Sequence, residues 1–143
     1  MSDSAMREPL TLDVLDEPLS VCRFAATAAV PGWVLEPGGF GNVTRTSDEL
    51  SIVCATARVP SQPPGISARE DGWRALKVIG PFAFSEVGVL VQVAVPLAAA
   101  GISILAMATF ETDYVLVQET RLADAVAELR RAGHLVHERE TRG

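Results

Sequence analysis

The chain has 143 residues, of which 48% are hydrophobic, and a formal net charge of −6. This length suits one domain or two small halves that share a core, and the composition excludes wholesale disorder. The acidic balance and the scattered basic residues argue against a nucleic-acid partner and against binding to an anionic membrane surface.

The first half of the chain shows strand patterns separated by turns. Residues 1–9 are polar and carry acids where a secretory signal has basic residues, so we expect a tail there and a cytoplasmic protein. Alternation of apolar and polar residues predicts strands at 10–16 and 19–24. One short helical turn is expected within 25–35, and two more strands flank a tight turn at 46–49.

A linker is predicted at residues 60–72, where PSQPPGISAREDG is rich in proline and glycine. It separates an N-terminal half, residues 10–59, from a C-terminal half, residues 73–143. The second half alternates strands with helices in the order strand, helix, strand, strand, helix, strand. These elements are predicted at 73–79, 87–100, 102–108, 113–118, 121–132 and 135–139.

Four residues are predicted to bound the two helices of the second half. Ser85 and Thr120 suit the N-cap position, where a hydroxyl accepts a hydrogen bond from a free backbone amide. Gly101 and Gly133 suit the left-handed position that follows a helix.

The order of elements predicts the fold class. Residues 73–143 have the βαββαβ arrangement of ferredoxin-like folds, and residues 10–59 have a weaker version with a shortened helix. We therefore predict an α+β protein of two such halves, with antiparallel sheets and helices on one face.

Two apolar features admit other interpretations. The uncharged run from Val87 to Phe110 is long enough to span a bilayer, but Pro96 and Gly101 interrupt it, so we predict a buried helix followed by a strand. Cys22 and Cys54 lie in apolar surroundings, and we expect two buried free thiols, with a disulfide or a metal pair as the alternatives.

The second half resembles the ACT domain, a small regulatory module that binds amino acids. The resemblance rests on SEVG, AGISIL and TFETDYVLV, and with GGFGNVTRTSDELSIVC it extends to tandem-ACT proteins. That group includes small bacterial proteins and the animal Castor arginine sensors. Because the animal sensors carry about twice as many ACT units, the resemblance implies that this chain forms a homodimer.

A free amino acid brings a carboxylate and an ammonium group to its binding site. A helix N-terminus has free backbone amides and a partial positive charge that suit the carboxylate, and a glycine there lets the ligand approach the backbone. The positions that match the family's glycine turn are Ser85, Glu86, Val87 and Gly88.

The resemblance to the arginine sensors implies a second wall for the ligand. That wall is formed by Thr109, Phe110, Thr112 and Asp113. Asp113 is offered to a cationic group of the ligand, which is either a basic side chain or the ammonium that all amino acids share.

Five of these residues also have an explanation without a ligand. Ser85 and Gly88 suit a helix cap and close packing, and Glu86 suits the helix dipole. Asp113 suits an ordinary turn, and Phe110 suits the core.

The sequence gives little support for a metal, phosphate or catalytic site. His134 and His137 are three residues apart in a predicted strand and would point to opposite faces, so no metal site is expected. Residues 38–41, GGFG, lack a phosphate-binding lysine and are better explained by a turn. No nucleophile with a matching base is apparent, and no cofactor is expected.

The sequence thus predicts a regulatory protein that binds an amino acid at an interface between ACT units and has no catalytic activity. A change in the population of two arrangements would carry the signal. The alternatives are an interaction module of the same fold without a ligand, and a small enzyme that uses Asp113 or Glu86 as a base.

Overall fold

The computed structural model describes residues 9–79 and 88–138. In this part of the chain the strands are β1 Thr11–Val14, β2 Leu19–Phe24, β3 Gly41–Arg45, β4 Leu50–Ala55, β5 Ile66–Val78, β6 Ile104–Ala108, β7 Asp113–Gln118 and β8 Leu135–Glu138. The helices are α1 Gly32–Leu35, α2 Val89–Ala99 and α3 Leu122–Arg131. The predicted α+β class is confirmed.

The chain divides into two compact units. The inserted unit is Asp16–Arg74, and the split unit consists of the described residues up to Leu15 and from Ala75 onward. The boundaries of these units differ from those of the predicted halves, because β1 groups with the second half of the chain. The expected tail lies outside the described residues, except for Pro9.

The inserted unit has a sheet in which β2 lies between β4 and β5, and β3 pairs with β4. All of these pairs are antiparallel. Its core consists of apolar side chains from β2, α1, β4 and the segment after β4, namely Cys22, Phe24, Val34, Leu50, Ile52, Cys54 and Val59. The only helix between β2 and β3 is the four-residue α1, as the shortened-helix prediction expected.

The split unit has the strand order β6-β7-β5-β1-β8. Here β1 is antiparallel to β5 and parallel to β8. The strand β1 was expected in the first half and in an antiparallel sheet. It instead groups with the second half, and its pairing with β8 is parallel, so both expectations are wrong for this strand. Leu12 and Val14 explain its place, because both side chains belong to the core of the split unit.

The core of the split unit lies between its sheet and helices α2 and α3. The strands contribute residues two apart, such as Val115 and Val117 on β7, because alternate side chains of a strand share a face. Helix α2 contributes residues four apart, Val89, Val93 and Leu97. The two helices therefore pack on one face of the sheet.

Both long helices end as predicted. Gly101 and Gly133 have φ of 73° and 101°, values that favour glycine. The amide of Ile102 donates to the Leu97 carbonyl at 2.9 Å, and that of His134 donates to the Leu129 carbonyl at 3.1 Å. With the glycine amides bonded to the carbonyls three residues back, these are Schellman motifs.

Two predicted boundaries are wrong. Thr120 does not cap α3; it lies in a 3₁₀ turn, Glu119–Arg121, and the helix begins at Leu122. The linker predicted at 60–72 contains the first part of β5, because Ile66 and the residues after it pair with β2. The predicted cap Ser85 lies outside the described residues.

Candidate functional site

Thr109 and Thr112 close the turn between β6 and β7. The Thr109 amide donates to the Thr112 carbonyl at 2.8 Å, and the Thr109 hydroxyl donates to the same oxygen at 3.0 Å. The Thr112 amide donates back to the Thr109 hydroxyl at 3.2 Å. The Thr109 hydroxyl is therefore used within the turn, although the residue itself is exposed.

Thr112 fastens this turn to the end of β5. Its side chain is only 8% exposed, and its hydroxyl donates a hydrogen bond to the carbonyl of Val78, the last residue of β5. The chain leaves β5 at this point and enters α2 after Gly88. The hydroxyl of Thr112 thus holds the hairpin in place and has no hydrogen left for a ligand.

Asp113 and Phe110 occupy different positions on the same hairpin. Asp113 is the first residue of β7, pairs with Ala108 and is half-buried. Within residues 9–79 and 88–138 its carboxylate forms no salt bridge. Phe110 is 83% exposed, so the interpretation of Phe110 as a core residue is wrong.

Gly88 immediately precedes α2. Its φ of 89° and ψ of 7° are left-handed, so the backbone conformation itself explains the glycine. The helix begins at Val89, and no described side chain caps it. Ser85, Glu86 and Val87 lie outside the described residues.

The described site residues therefore lie in two places. It brings the four hairpin residues together on one turn, and it places Gly88 at the start of α2. Of the four predicted residues on this hairpin, Asp113 is the charged one, and its carboxylate accepts hydrogen bonds only, which suits a guanidinium or an ammonium group.

His134 is a polar residue whose role the sequence analysis missed. It is only 7% exposed, and its two ring nitrogens lie 3.0 Å from the Leu10 amide and 3.1 Å from the Gln92 carbonyl. As a potential metal ligand it was expected on a strand, but it precedes β8. The available signal was a proline four residues after Gln92, which leaves that carbonyl without a helix partner.

A second polar cluster lies in the inserted unit, where β2 and β5 shift register after Leu19. The buried Ser20 hydroxyl donates to Asp71 at 2.5 Å and lies 2.8 Å from the Thr56 hydroxyl, while Arg69 Nε donates to Asp71 at 2.8 Å. The Ser20 hydrogen bond, followed by that of Arg69, lowers the pKa of Asp71. The cluster stabilises the irregular part of β5.

The two cysteines are buried free thiols, as predicted. Burial raises the pKa of Cys22, and it raises that of Cys54 to about 11. Because the thiolate is the reactive form, neither residue suits nucleophilic chemistry near neutral pH.

Residues 9–79 and 88–138 contain no group of three His, Cys, Asp or Glu side chains that could hold a metal ion. In the same part of the chain, no helix has both the length and the apolar character needed to cross a bilayer.

Family models match both parts of the chain. A model described as ACT domain matches residues 68–131. A second model, described as an N-terminal domain, matches residues 17–62.

The Homo sapiens and Bos taurus proteins named cytosolic arginine sensor for mTORC1 subunit 1 are relatives in sequence. Each is 36% identical over 75 residues, which are 52% of this chain and 23% of the sensor. The matched stretch thus spans less than a quarter of the sensor's length.

Two solved structures resemble most of the chain. A crystal structure of a protein from Agobacterium tumefaciens is 35% identical, covers 96% of this chain and 98% of its own, and has a TM-score of 0.85. The regulatory subunit of aspartate kinase from Thermus thermophilus, in its ligand-free form, has a TM-score of 0.60 at 12% identity. It covers 88% of this chain and 97% of its own, and at that identity the likeness is one of fold.

Proposed function

Because the chain belongs to the ACT-domain family, we propose that it binds a free amino acid and acts as a cytoplasmic regulatory sensor without catalytic activity. The observation that carries the proposal is the half-buried Asp113 carboxylate, without a salt bridge to any described residue, on a turn that Thr112 fastens to the end of β5. The cytoplasmic location is supported by the description of the arginine sensors as cytosolic.

The ligand's carboxylate binds at the start of α2. The first amides of a helix have no partner within the helix, and the positive end of the helix dipole favours an anion. The left-handed Gly88 leads directly into these amides. Ser85, Glu86, Val87 and Gly88 remain the proposed positions for this contact.

The ligand's cationic group binds Asp113, with Thr109, Phe110 and Thr112 forming the rest of that wall. Phe110 is 83% exposed and offers an aromatic face to a guanidinium. Thr109 and Thr112 act by shaping the turn, since their hydroxyls bond within the protein. L-arginine is the first ligand to test, because the matched relatives are named arginine sensors.

A homodimer supplies the interface between ACT units at which the ligand acts. Val91 and Val95 of α2 are 57% and 59% exposed, and β6 pairs only with β7 among the described strands. An exposed apolar helix face and an edge strand each suit contact with a second copy of the chain. A ligand that binds one arrangement of the dimer more tightly shifts the population toward it.

Titration calorimetry with L-arginine, beside a thermal-shift panel of the twenty amino acids, tests the proposal. A ligand present at 100-fold above its Kd adds about 2.7 kcal/mol to the free energy of unfolding and raises Tm. Asp113→Asn should weaken binding about 10- to 100-fold, since it removes a charge-assisted contact. Glu111→Gln removes the same charge from the same hairpin and should leave Kd nearly unchanged.

If no amino acid of the panel raises Tm, the proposed sensor function is refuted. That result would support an interaction module without a ligand, which the exposed valines of α2 also suit. Equal losses in Asp113→Asn and Glu111→Gln would mean that only the overall charge of the hairpin matters. Turnover of a ligand that disappears in Asp113→Ala while binding persists would establish an enzyme.

A further inference from the structure

Helix α2 contains a proline that leaves one carbonyl without a partner. Pro96 has no N–H, so the carbonyl of Gln92, four residues earlier, cannot form its helical hydrogen bond. The proline ring also crowds that carbonyl and tilts it away from the helix axis. A donor from elsewhere in the chain must satisfy the oxygen if it is not to face water.

His134 is that donor. Its Nδ1 accepts a hydrogen bond from the Leu10 amide at 3.0 Å, and an accepting nitrogen carries no hydrogen. The hydrogen of the neutral ring therefore sits on Nε2, which donates to the Gln92 carbonyl at 3.1 Å. A charged imidazolium has no acceptor nitrogen and cannot make the Leu10 contact.

The backbone holds this imidazole in place. Gly133, with φ of 101°, ends α3 in a Schellman motif, and His134 is the next residue. Its own amide donates to the Leu129 carbonyl at 3.1 Å. The ring therefore connects the end of α3 and the start of β1 to the middle of α2.

Gln92 also connects the His134 ring to the first turn of α2, because the Gln92 amide donates to the Gly88 carbonyl at 3.0 Å. We propose that His134 is a positioning residue: as the Nε2–H tautomer it holds the Gln92 carbonyl that Pro96 leaves free, and so fixes the turn at Gly88. The part played in ligand binding rests on the proposed function, whereas the hydrogen-bond arrangement does not.

The tautomer is tested by long-range ¹H–¹⁵N NMR of the full-length protein at pH 7. The expected spectrum has a protonated Nε2 and an unprotonated Nδ1 for His134. A protonated Nδ1, or a ring that averages between tautomers, would overturn the proposal.

Two substitutions of similar polarity separate the two contacts of the ring. His134→Gln carries an amide nitrogen close to the position of Nε2 and keeps the contact to Gln92. The shorter His134→Asn places its oxygen near Nδ1 and keeps only the contact to Leu10. The reference is the Ala132 amide, which follows α3 and donates to the Glu128 carbonyl. The exchange rate of the Gln92 amide, divided by that of the Ala132 amide, should rise about tenfold in His134→Asn and less than about threefold in His134→Gln.

Val136→Ala is the matched control, since it weakens the same core from β8 and removes neither hydrogen bond of the His134 ring. It should accelerate both amides and leave the ratio unchanged. A ratio that responds equally to all three variants would mean that His134 is only a packing residue.

Pro96→Ala provides an independent check, because it restores an N–H four residues after Gln92. In that background His134→Asn should raise the exchange ratio much less than it does alone. An undiminished effect would overturn the link between Pro96 and His134.

The Kd of L-arginine tests whether the positioning by His134 affects ligand binding. If the first turn binds it, His134→Asn should raise its Kd and His134→Gln should not. Failure of arginine to bind the wild-type protein would count against the proposed function alone, since the tautomer and the exchange ratio need no ligand. Normal binding together with an unchanged ratio would overturn the positioning role.

Discussion

Single hydrogen bonds decide the roles of several residues in the candidate site. Thr112→Val keeps the shape of the side chain but removes the bond to the Val78 carbonyl and leaves that buried acceptor without its donor. The free energy of unfolding should fall by about 1–3 kcal/mol. Urea denaturation measures the change, and Thr112→Ser, which retains the hydroxyl, should lose less. An unaltered stability in Thr112→Val would show that the hairpin is held by its backbone alone.

Asp71 gives the inserted unit an acid-dependent stability. Its pKa is lowered in the folded state, first by the Ser20 hydroxyl and then by Arg69, so folding favours the ionised carboxylate. This contribution is complete above the ordinary aspartate value of 3.8 and is lost as the pH falls through the lower folded-state value. Wild type should exceed Asp71→Asn in stability at neutral pH.

Urea titrations across the acid range measure that difference. The gap between wild type and Asp71→Asn should narrow as the pH falls through the lowered pKa of Asp71, because protonation removes the charge that asparagine lacks. Asp48→Asn, an exposed acid of the same unit, is the control and should show no such convergence. A constant gap would mean that the charge of Asp71 is irrelevant to the cluster.

The sequence predicted where several site residues lie on the hairpin, but it did not predict which groups their side chains contact. It identified Thr109, Thr112 and Asp113 as hairpin residues, because turn chemistry is local. It could not distinguish an inward hydroxyl from one facing a ligand, since the acceptor on Val78 is distant in sequence. For Phe110 it favoured the core, because apolarity alone does not reveal that a ring lies at a hairpin tip.

At the scale of secondary-structure elements, glycine positions test the helix ends. Gly101 has φ of 73°, and a Cβ there would meet nothing within 4 Å, so any cost of substitution comes from the backbone. Gly101→Ala should lower the free energy of unfolding by about 1 kcal/mol. Gly32→Ala is the control, because its site is equally open and has no positive φ. Similar losses at both positions would contradict the left-handed assignment.

Local sequence patterns predicted most helices and strands. They failed where hydrogen-bond pairing with a distant strand determines the structure. The helix ends were predictable because glycine after an apolar pattern carries a local meaning. The first part of β5 was not, since prolines and glycines dominate residues 60–72 and no alternation is visible. Pairing with β2 from Ile66 onward supplies the order that the local sequence lacks.

At the scale of the whole molecule, the dimer proposal predicts how surface substitutions act. Val95→Glu places a charge on the exposed face of α2 and should shift the protein toward monomer, measured by light scattering after size exclusion. Leu135→Glu is matched in exposure, at 59% for both residues, and should leave the mass unchanged. A monomeric wild type, or dissociation by Leu135→Glu alone, would contradict an interface at α2.

The sequence alone determined the α+β class, the second half's order of elements and the hairpin of candidate residues, because periodicity, helix stop signals and family motifs are local properties. Only the tertiary structure decided that β1 lies between β5 and β8, that β5 begins inside the expected linker and that His134 serves Gln92. Each of those outcomes depends on hydrogen-bond partners far apart in the chain, and no local pattern encodes them.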